Sequence, residues 1–398
     1  MHPSESVTII GAGPAGLCCA LWLVRAGIPV TVLEKETGLP EDMRASTFHP
    51  ATLDLLDESG ISRSLIGQGT RVPKWQYLQH ETGERVVFDL SSISDATAHP
   101  YRLQVEQFRL TNAIVARLRD EPGFKLLRGA QLTVVEPEGE TVRLSYEHNG
   151  EMQYDQARWL IAADGAHSVV RKQLGLSFEG SVFPRTSITL VLDHRFQDDT
   201  EELLGVNYVW TADGHFSLMR VRDLWRFSFS PRDEENPVEA HDREAAEARL
   251  QSVFPKRTPY RIQQLNHYTL HQRCLAAFRR DNVLFCGDAA HLNSPAGGMG
   301  MNSGIHDAAC LVDHLLPVLA GKDEALLDRY DRRRRTIALE EVQRLSTKNY
   351  KRHRETDPER RVAIWDKLQA TASDPARQRE FLLDSSMIAS LRREAEIA

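Results

Sequence analysis

The 398-residue sequence has no apolar run long enough to cross a bilayer: its most apolar early stretch, Gly11 to Val24, is short and broken by glycine. It opens without a basic region leading into a hydrophobic core, so a secretory signal is not expected. Cysteine is scarce. Cys18, Cys19, Cys274, Cys286 and Cys310 form no CxxC pair and have no histidine at zinc-site spacing, which predicts reduced, mostly buried thiols, no metal and a cytoplasmic setting. A basic surplus is missing too. The net charge of -7 disfavours nucleic acid as a partner, because a phosphate backbone calls for a basic face. No internal repeat is found.

What is present is an ordinary globular mixture, 41% hydrophobic and 26% charged, in a chain long enough for about two domains. Val7-Thr8-Ile9-Ile10 is a β-rich run entering a glycine turn. Ala15 to Ala26 follows with a nearly all-apolar helical pattern, and Pro29 to Glu34 reads as a second buried strand. Together they make a βαβ unit and predict a parallel sheet. Residues 50–67 look helical, 72–90 carry strand character around the Glu81-Thr82-Gly83 turn, and a helix is expected from Glu106 to Leu118. Trp159 to Ala163 is a buried strand feeding Asp164-Gly165. Between about 183 and 272 the pattern changes to alternating segments, which predicts an inserted antiparallel sheet. Asn282 to Cys286 returns as one more buried strand. Helices follow from Met301, with a charged stretch at Asp331 to Arg335 and a polar extension beyond about 345.

Three motifs carry the chemistry. Gly11-Ala12-Gly13-Pro14-Ala15-Gly16 is a GxGxxG placed between strand and helix, with Glu34 eighteen residues beyond its last glycine at the next strand's end. Gly11 permits the tight turn, Gly13 lets backbone approach a pyrophosphate, and Gly16 allows helix to pack on strand. The helix N-terminus offers N–H donors to phosphate, and Glu34 would accept ribose hydroxyls. This predicts a dinucleotide site without separating FAD from NAD(P). The second motif is Gly287-Asp288, followed by Pro295 and the glycine-rich Gly297 to Gly304 loop, in which bare backbone can lie against a flat ring. The third is Asp164-Gly165, where Ser168 is placed to cap a short helix.

At these residues the chain resembles the single-component FAD-dependent aromatic hydroxylases, the para-hydroxybenzoate hydroxylase type. Gly287, Asp288, Pro295, Gly298, Gly300, Asn302, Gly304, Asp307 and Ala308 meet the family's GD…P…GxGxNxGxxDA pattern, and the resemblance runs from about residue 5 to 345. It implies an α/β fold: a Rossmann-like FAD-binding domain (1–72, 101–182 and 275–345), an inserted antiparallel β-sheet substrate domain (73–100 and 183–274) and a C-terminal helical extension (346–398). It implies tightly bound FAD, held by Gly11, Gly13, Ala15, Gly16, Glu34, Lys35, Arg44, Gln104, Asp164, Gly165, Gly287, Asp288, Pro295, Gly298, Gly300, Met301 and Asn302. Asp288 would hold the ribityl chain, while Pro295 and the Gly298 to Asn302 backbone would border the isoalloxazine ring. NAD(P)H would visit transiently as reductant, and O2 would be co-substrate. In this family oxygen adds to reduced flavin as a C4a-hydroperoxide and the electron-rich ring attacks its distal oxygen. A homodimer is the family-level expectation.

The substrate wall is expected from the inserted sheet, with Tyr208, Trp210, His215, Arg220 and Phe227 as candidate contacts and Phe216 and Arg222 beside them. Arg220 and Arg222, two apart, would share a face that is either a solvated face or a carboxylate site. Beside Pro295, His291 is the candidate catalytic side chain, since it follows Asp288 closely, with loop-fixing as its alternative role. Two other readings stay open: a flavin-dependent reductase on the same fold, and a non-catalytic flavin-binding or sensor protein. A halogenase is disfavoured because the WxWxIP signature is missing.

Overall fold

Three largely buried segments fix the centre of the molecule. Val7–Ile10 lies between Val30–Glu34 and Trp159–Ala162, all parallel, and every side chain of the first and third is buried. Phe124–Arg128 extends the sheet on one side; Val283–Phe285, with the short antiparallel Arg279–Arg280, extends it on the other. Strands buried on both faces read as continuous apolar runs, which is why these segments show no alternation. The computed structural model describes residues 7–41, 43, 45–184, 186–198, 200, 202–212, 214–231 and 242–398.

The helix Pro14–Arg25 starts with proline at its first position, where the missing N–H costs nothing and the fixed φ suits the helix. It packs against the helix Gly300–Leu319, and both join the sheet in one core with Leu17, Leu21, Ile305 and Leu311. The helical region at 50–67 is two helices, Pro50–Asp57 and Ile61–Ile66, divided at Gly60 with φ +74°. Gln131–Glu138, Thr141–His148 and Glu151–Ala157 form a separate antiparallel meander.

The second layer is a seven-stranded sheet built from 74–89 and 187–268. All its pairings are antiparallel except Val206–Thr211 beside Lys74–Gln79. Its two faces alternate with the period of two that a pleated strand imposes. Trp75, Tyr77, Phe88, Tyr208 and Trp210 face one way, toward Trp365, Leu382 and Ile388 of the C-terminal helices. Leu78, Val209, Leu218 and Phe227 face the other, toward Ala246 and Leu250 of the helix Arg243–Val253. A long helical rod, Ala325–Ile337, Ala338–Gln343 in π geometry and Arg344–His353, leads into helices Pro358–Ser373, Pro375–Ser385 and Ile388–Glu396. The polar extension is therefore a folded layer over the inserted sheet. The five cysteines are free and buried. Among the described residues no helix is long and apolar enough to cross a membrane.

Candidate functional site

The three motifs meet at the carboxyl edge of the parallel sheet, where open α/β sheets bind their ligands. Gly11 has φ +104°, and a Cβ there would lie 2.4 Å from the Ala163 carbonyl oxygen; one on Gly16 would lie 2.1 Å from that of Gly11. Around Gly13, by contrast, a Cβ would meet nothing within 4 Å, so the backbone faces open space at the N-terminus of the first helix. Glu34 accepts from the Ala12 N–H at 2.7 Å and the Glu36 N–H at 2.9 Å, which pins the glycine turn to the second strand. Lys35 is exposed and pairs with Glu36 at 3.5 Å.

Asp164 leaves its strand and accepts the Val169 and Val170 N–H groups at 2.7 and 3.2 Å, while Ser168 accepts that of Arg171 at 3.0 Å. Burial raises the Asp164 pKa against these hydrogen bonds, and its Oδ1 is buried with no partner. Gly165, at φ +78°, makes the turn that follows. Arg171 ties this turn to the next motif, donating to the Ala289 carbonyl at 3.0 Å and to that of Ala166 at 2.8 Å. Gly287, at φ +60°, packs so closely that a Cβ would stand 3.0 Å from the Ala15 methyl. Asp288 is exposed beside it.

The glycine-rich loop is held from below. Pro295 accepts the Gly298 N–H at 2.9 Å, closing a turn that carries Gly297 and Gly298 at φ +99° and +70°. Asn302 donates to the Gly298 and Thr47 carbonyls at 2.7 and 2.8 Å and accepts the His49 N–H at 3.0 Å. Its side chain is thus fully used in shaping the loop. Gly300 begins the long helix, and Met301 packs partly buried behind it. His49 donates from Nε2 to the Gly297 carbonyl at 2.8 Å, and burial, helped by the Arg102 charge, pushes its pKa down to about 3. Gln104 accepts from Thr47 Oγ1 at 3.0 Å and keeps a buried, partnerless Nε2. Arg44 lies outside the described residues.

Over this loop sits a cavity. Gly297 and Met299 form its floor, Trp75, Tyr77 and Tyr208 its sheet wall, and Lys348, Arg352, His353 and Phe381 its helical roof. Arg102 Nη1 reaches the Tyr208 hydroxyl at 3.4 Å and its guanidinium stands 4.3 Å over the Trp75 ring; Arg352 donates to the Tyr77 hydroxyl at 2.8 Å. The His353 ring stacks on Tyr208 at 4.5 Å, and burial holds its pKa well below the ordinary value. Burial also lowers the Lys348 pKa. Three cations, Arg102, Lys348 and Arg352, thus border the cavity against one carboxylate, Asp384.

Of the substrate contacts expected from sequence, only Tyr208 lines this cavity. Trp210 shares its face but is covered by Trp365 and donates to the His353 carbonyl at 3.2 Å. Phe227 and Arg220 fall on the opposite face by strand alternation. Phe227 and His215 border a second cavity with Phe216, Arg249 and Arg354. Arg222 is in the two-residue turn after Val221, at φ +58°, so it does not share a strand face with Arg220, whose Nε donates to its carbonyl at 3.1 Å. His291 is also displaced from the catalytic place given to it: buried, it pairs through Nε2 with Asp307 at 2.8 Å and stacks on Phe278. Sequence reasoning missed Trp75, Tyr77, Arg102 and the whole roof. For Arg102 a signal existed, two residues before Gln104 on one short strand; for Lys348 to Phe381 none did.

The glycines that a side chain would block, the open approach at Gly13 and the orphaned buried Gln104 Nε2 and Asp164 Oδ1 form a cradle that fits FAD. The FAD binding domain family matches residues 4–345, and the chain belongs to it. Over 392 residues the chain is 32% identical to para-nitrophenol 4-monooxygenase from Pseudomonas sp. strain WBC-3, covering 96% of each protein. Over 351 residues it is 30% identical to 6-hydroxy-3-succinoylpyridine 3-monooxygenase HspB of Pseudomonas putida strain S16, covering 85% of this chain and 87% of that one. The crystal structure of p-nitrophenol 4-monooxygenase PnpA from Pseudomonas putida DLL-E4 superposes with a TM-score of 0.90 at 30% identity, over 97% of this chain and 98% of the other. The protein is therefore a FAD-dependent aromatic monooxygenase, of the class that takes electrons from NAD(P)H and oxygen from O2.

Proposed function

We propose that the cavity over the glycine loop binds a single-ring phenol, or a hydroxylated N-heteroaromatic, as its anion, and that oxygen is delivered to the carbon para to the ring hydroxyl. One observation carries this reading: an aromatic-walled cavity on the loop that would border the flavin holds three cations and one carboxylate. A guanidinium about 4–6 Å from a phenol oxygen lowers its pKa by roughly 1–3 units, and the phenolate is rich in electron density at its para carbon. Two relatives agree in regiochemistry. Position 4 of para-nitrophenol and position 3 of 6-hydroxy-3-succinoylpyridine are each para to the hydroxyl and each already carry a substituent.

In this reading the Gly11 to Gly16 turn takes the pyrophosphate, Glu34 the ribose, Asp288 the ribityl chain, and the Gly298 to Asn302 backbone with Gln104 the ring edge. Bound flavin supplies reducing equivalents and activates the oxygen. The chain's own side chains orient and exclude water: Trp75, Tyr208 and Phe381 hold the ring, while Arg102 and Arg352, each on a tyrosine hydroxyl, hold its negative charge. His49 and Asn302 keep the loop in place and take no proton. The five buried thiols support a reducing, cytoplasmic setting, and the family resemblance supports a homodimer, which sizing chromatography checks.

The test is a titration of the FAD-loaded protein with 4-nitrophenol below its free pKa, followed by NAD(P)H oxidation. Appearance of phenolate absorbance on binding, with oxidation that yields a para-oxygenated product and little free peroxide, is expected. A ligand that stays neutral when bound, or oxidation that no phenol accelerates, overturns the reading.

A further inference from the structure

The charged stretch Asp331 to Arg335 is the motif that the cofactor and substrate readings leave unexplained. A run of four arginines on a helix is ordinarily a solvated face, yet Arg334 is fully buried. Its guanidinium is clamped between two carboxylates. Nε meets Asp307 Oδ1 at 2.7 Å, and Nη1 meets Glu394 on the helix Ile388–Glu396, whose side chain is 12% exposed. The neighbouring arginines hold the same helix by its end: Arg333 donates to the Ile397 carbonyl at 2.7 Å and the Ala395 carbonyl at 3.2 Å, and Arg332 to that of Ala398 at 3.2 Å. Arg335 turns the other way, to the Leu275 carbonyl at 3.1 Å.

Asp307 is the other end of this chain of charges. Burial alone would raise its pKa, but His291 and Arg334 outweigh that and hold it well below the ordinary carboxylate range. Its second oxygen accepts both His291 Nε2 at 2.8 Å and the Gly287 N–H at 3.0 Å. Gly287 is the left-handed turn residue that aims Asp288. Tyr330, one turn from Arg334, donates to the Phe285 carbonyl at 2.6 Å, so the strand leading into that turn is held from the same helix.

We infer that Arg332 to Arg334 form the receptor for the helix Ile388–Glu396, and that Glu394 is a positioning residue which, through Arg334 and Asp307, sets the Gly287-Asp288 turn and so the affinity for FAD. The inference rests on the reading of that turn as part of the FAD holder. Removing the Glu394 charge leaves Asp307 as the one carboxylate on the buried guanidinium, beside Ser303 on Nη2; the guanidinium re-centres on Asp307, and the Gly287 N–H that shares this carboxylate shifts with it. Because a buried charge without its partner is costly, a change at Glu394 is felt at Asp307.

The experiment uses full-length protein stripped of flavin and titrated with FAD, following flavin fluorescence and visible circular dichroism. Glu394→Gln preserves size and hydrogen bonding and removes the charge; it is expected to weaken FAD binding about ten-fold and to change the bound-flavin dichroism. Glu394→Asp recovers part of the loss. Glu396→Gln, on the same helix and paired with Arg393 on the surface at 3.5 Å, leaves both readouts unchanged. Wild-type FAD affinity and dichroism in Glu394→Gln overturn the inference, including where its thermal midpoint falls. Wild-type apo-protein that takes up no FAD overturns the cofactor assignment, and this inference with it.

Discussion

Two kinds of surface meet at the Gly297–Gly300 loop. Below it, the cofactor side is made of backbone: turn amides, helix N-termini and glycines placed where a Cβ would collide. Above it, the cavity side is made of long side chains from the short strand at Arg102, the inserted sheet and the C-terminal helices. A backbone surface is rigid and fixed by a few local residues. A side-chain surface can be rewritten one residue at a time without touching the fold, so cofactor chemistry stays constant while the ring it acts on changes.

Substitutions on the two sides should therefore fail in different ways. Gly11→Val combines a collision with the Ala163 carbonyl and an unfavourable φ, and is expected to cost more than about 3 kcal/mol and to give little soluble protein. Gly13→Val has room for its side chain in the protein alone; it should fold, yet raise the FAD dissociation constant roughly a hundred-fold, about 2.7 kcal/mol. Equal solubility of the two, measured beside their flavin content, breaks the distinction between fold glycine and ligand glycine.

On the cavity side, Arg102→Met should leave FAD occupancy intact and lower kcat/KM for phenols by about 2 kcal/mol, roughly thirty-fold. Phe227→Leu, on the far face of the same sheet, should leave KM unchanged. Loss of flavin from Arg102→Met would instead make it part of the cofactor frame. The smallest effect lies at the seam. Burial lowers the His306 pKa from 6.5 to about 3, with Thr52 Oγ1 at 2.9 Å. Between those values the unfolded chain binds the proton and the folded one does not, so stability falls as pH drops below 6.5. Denaturant unfolding near pH 7 and near pH 5.5 should differ by about 1.2 kcal/mol less in His306→Gln than in the parent. An unchanged difference would show that His306 does not contribute.

The same contrast explains what could be read before the structure. The GxGxxG turn, the Asp164-Gly165 turn and the glycine-rich loop were legible because backbone geometry restricts which residues can occupy them. The inserted sheet was legible from its alternation, but alternation leaves open which face looks at the loop, and so Phe227 and Arg220 were grouped with Tyr208. The extension beyond 345 has no motif, and its helices show their purpose only where they land. Arg334 illustrates the limit: composition makes it a surface charge, and only Asp307 and Glu394, distant in sequence, make it a buried one.

The π-helical turn at Ala338–Gln343 lets one uninterrupted rod serve both surfaces. Its first half presents Arg334 to Asp307; its second half carries Lys348, Arg352 and His353 to the cavity roof. The wide turn adds a residue to the helical pitch and shifts the phase of everything after it. Gln343, in that turn, donates to the Arg273 and Leu292 carbonyls at 2.9 and 3.2 Å, clamping the rod at its midpoint. The rod is thus one covalent beam shared by two rooms, braced at its middle, with one end set against the flavin turn and the other forming the roof under which the ring lies.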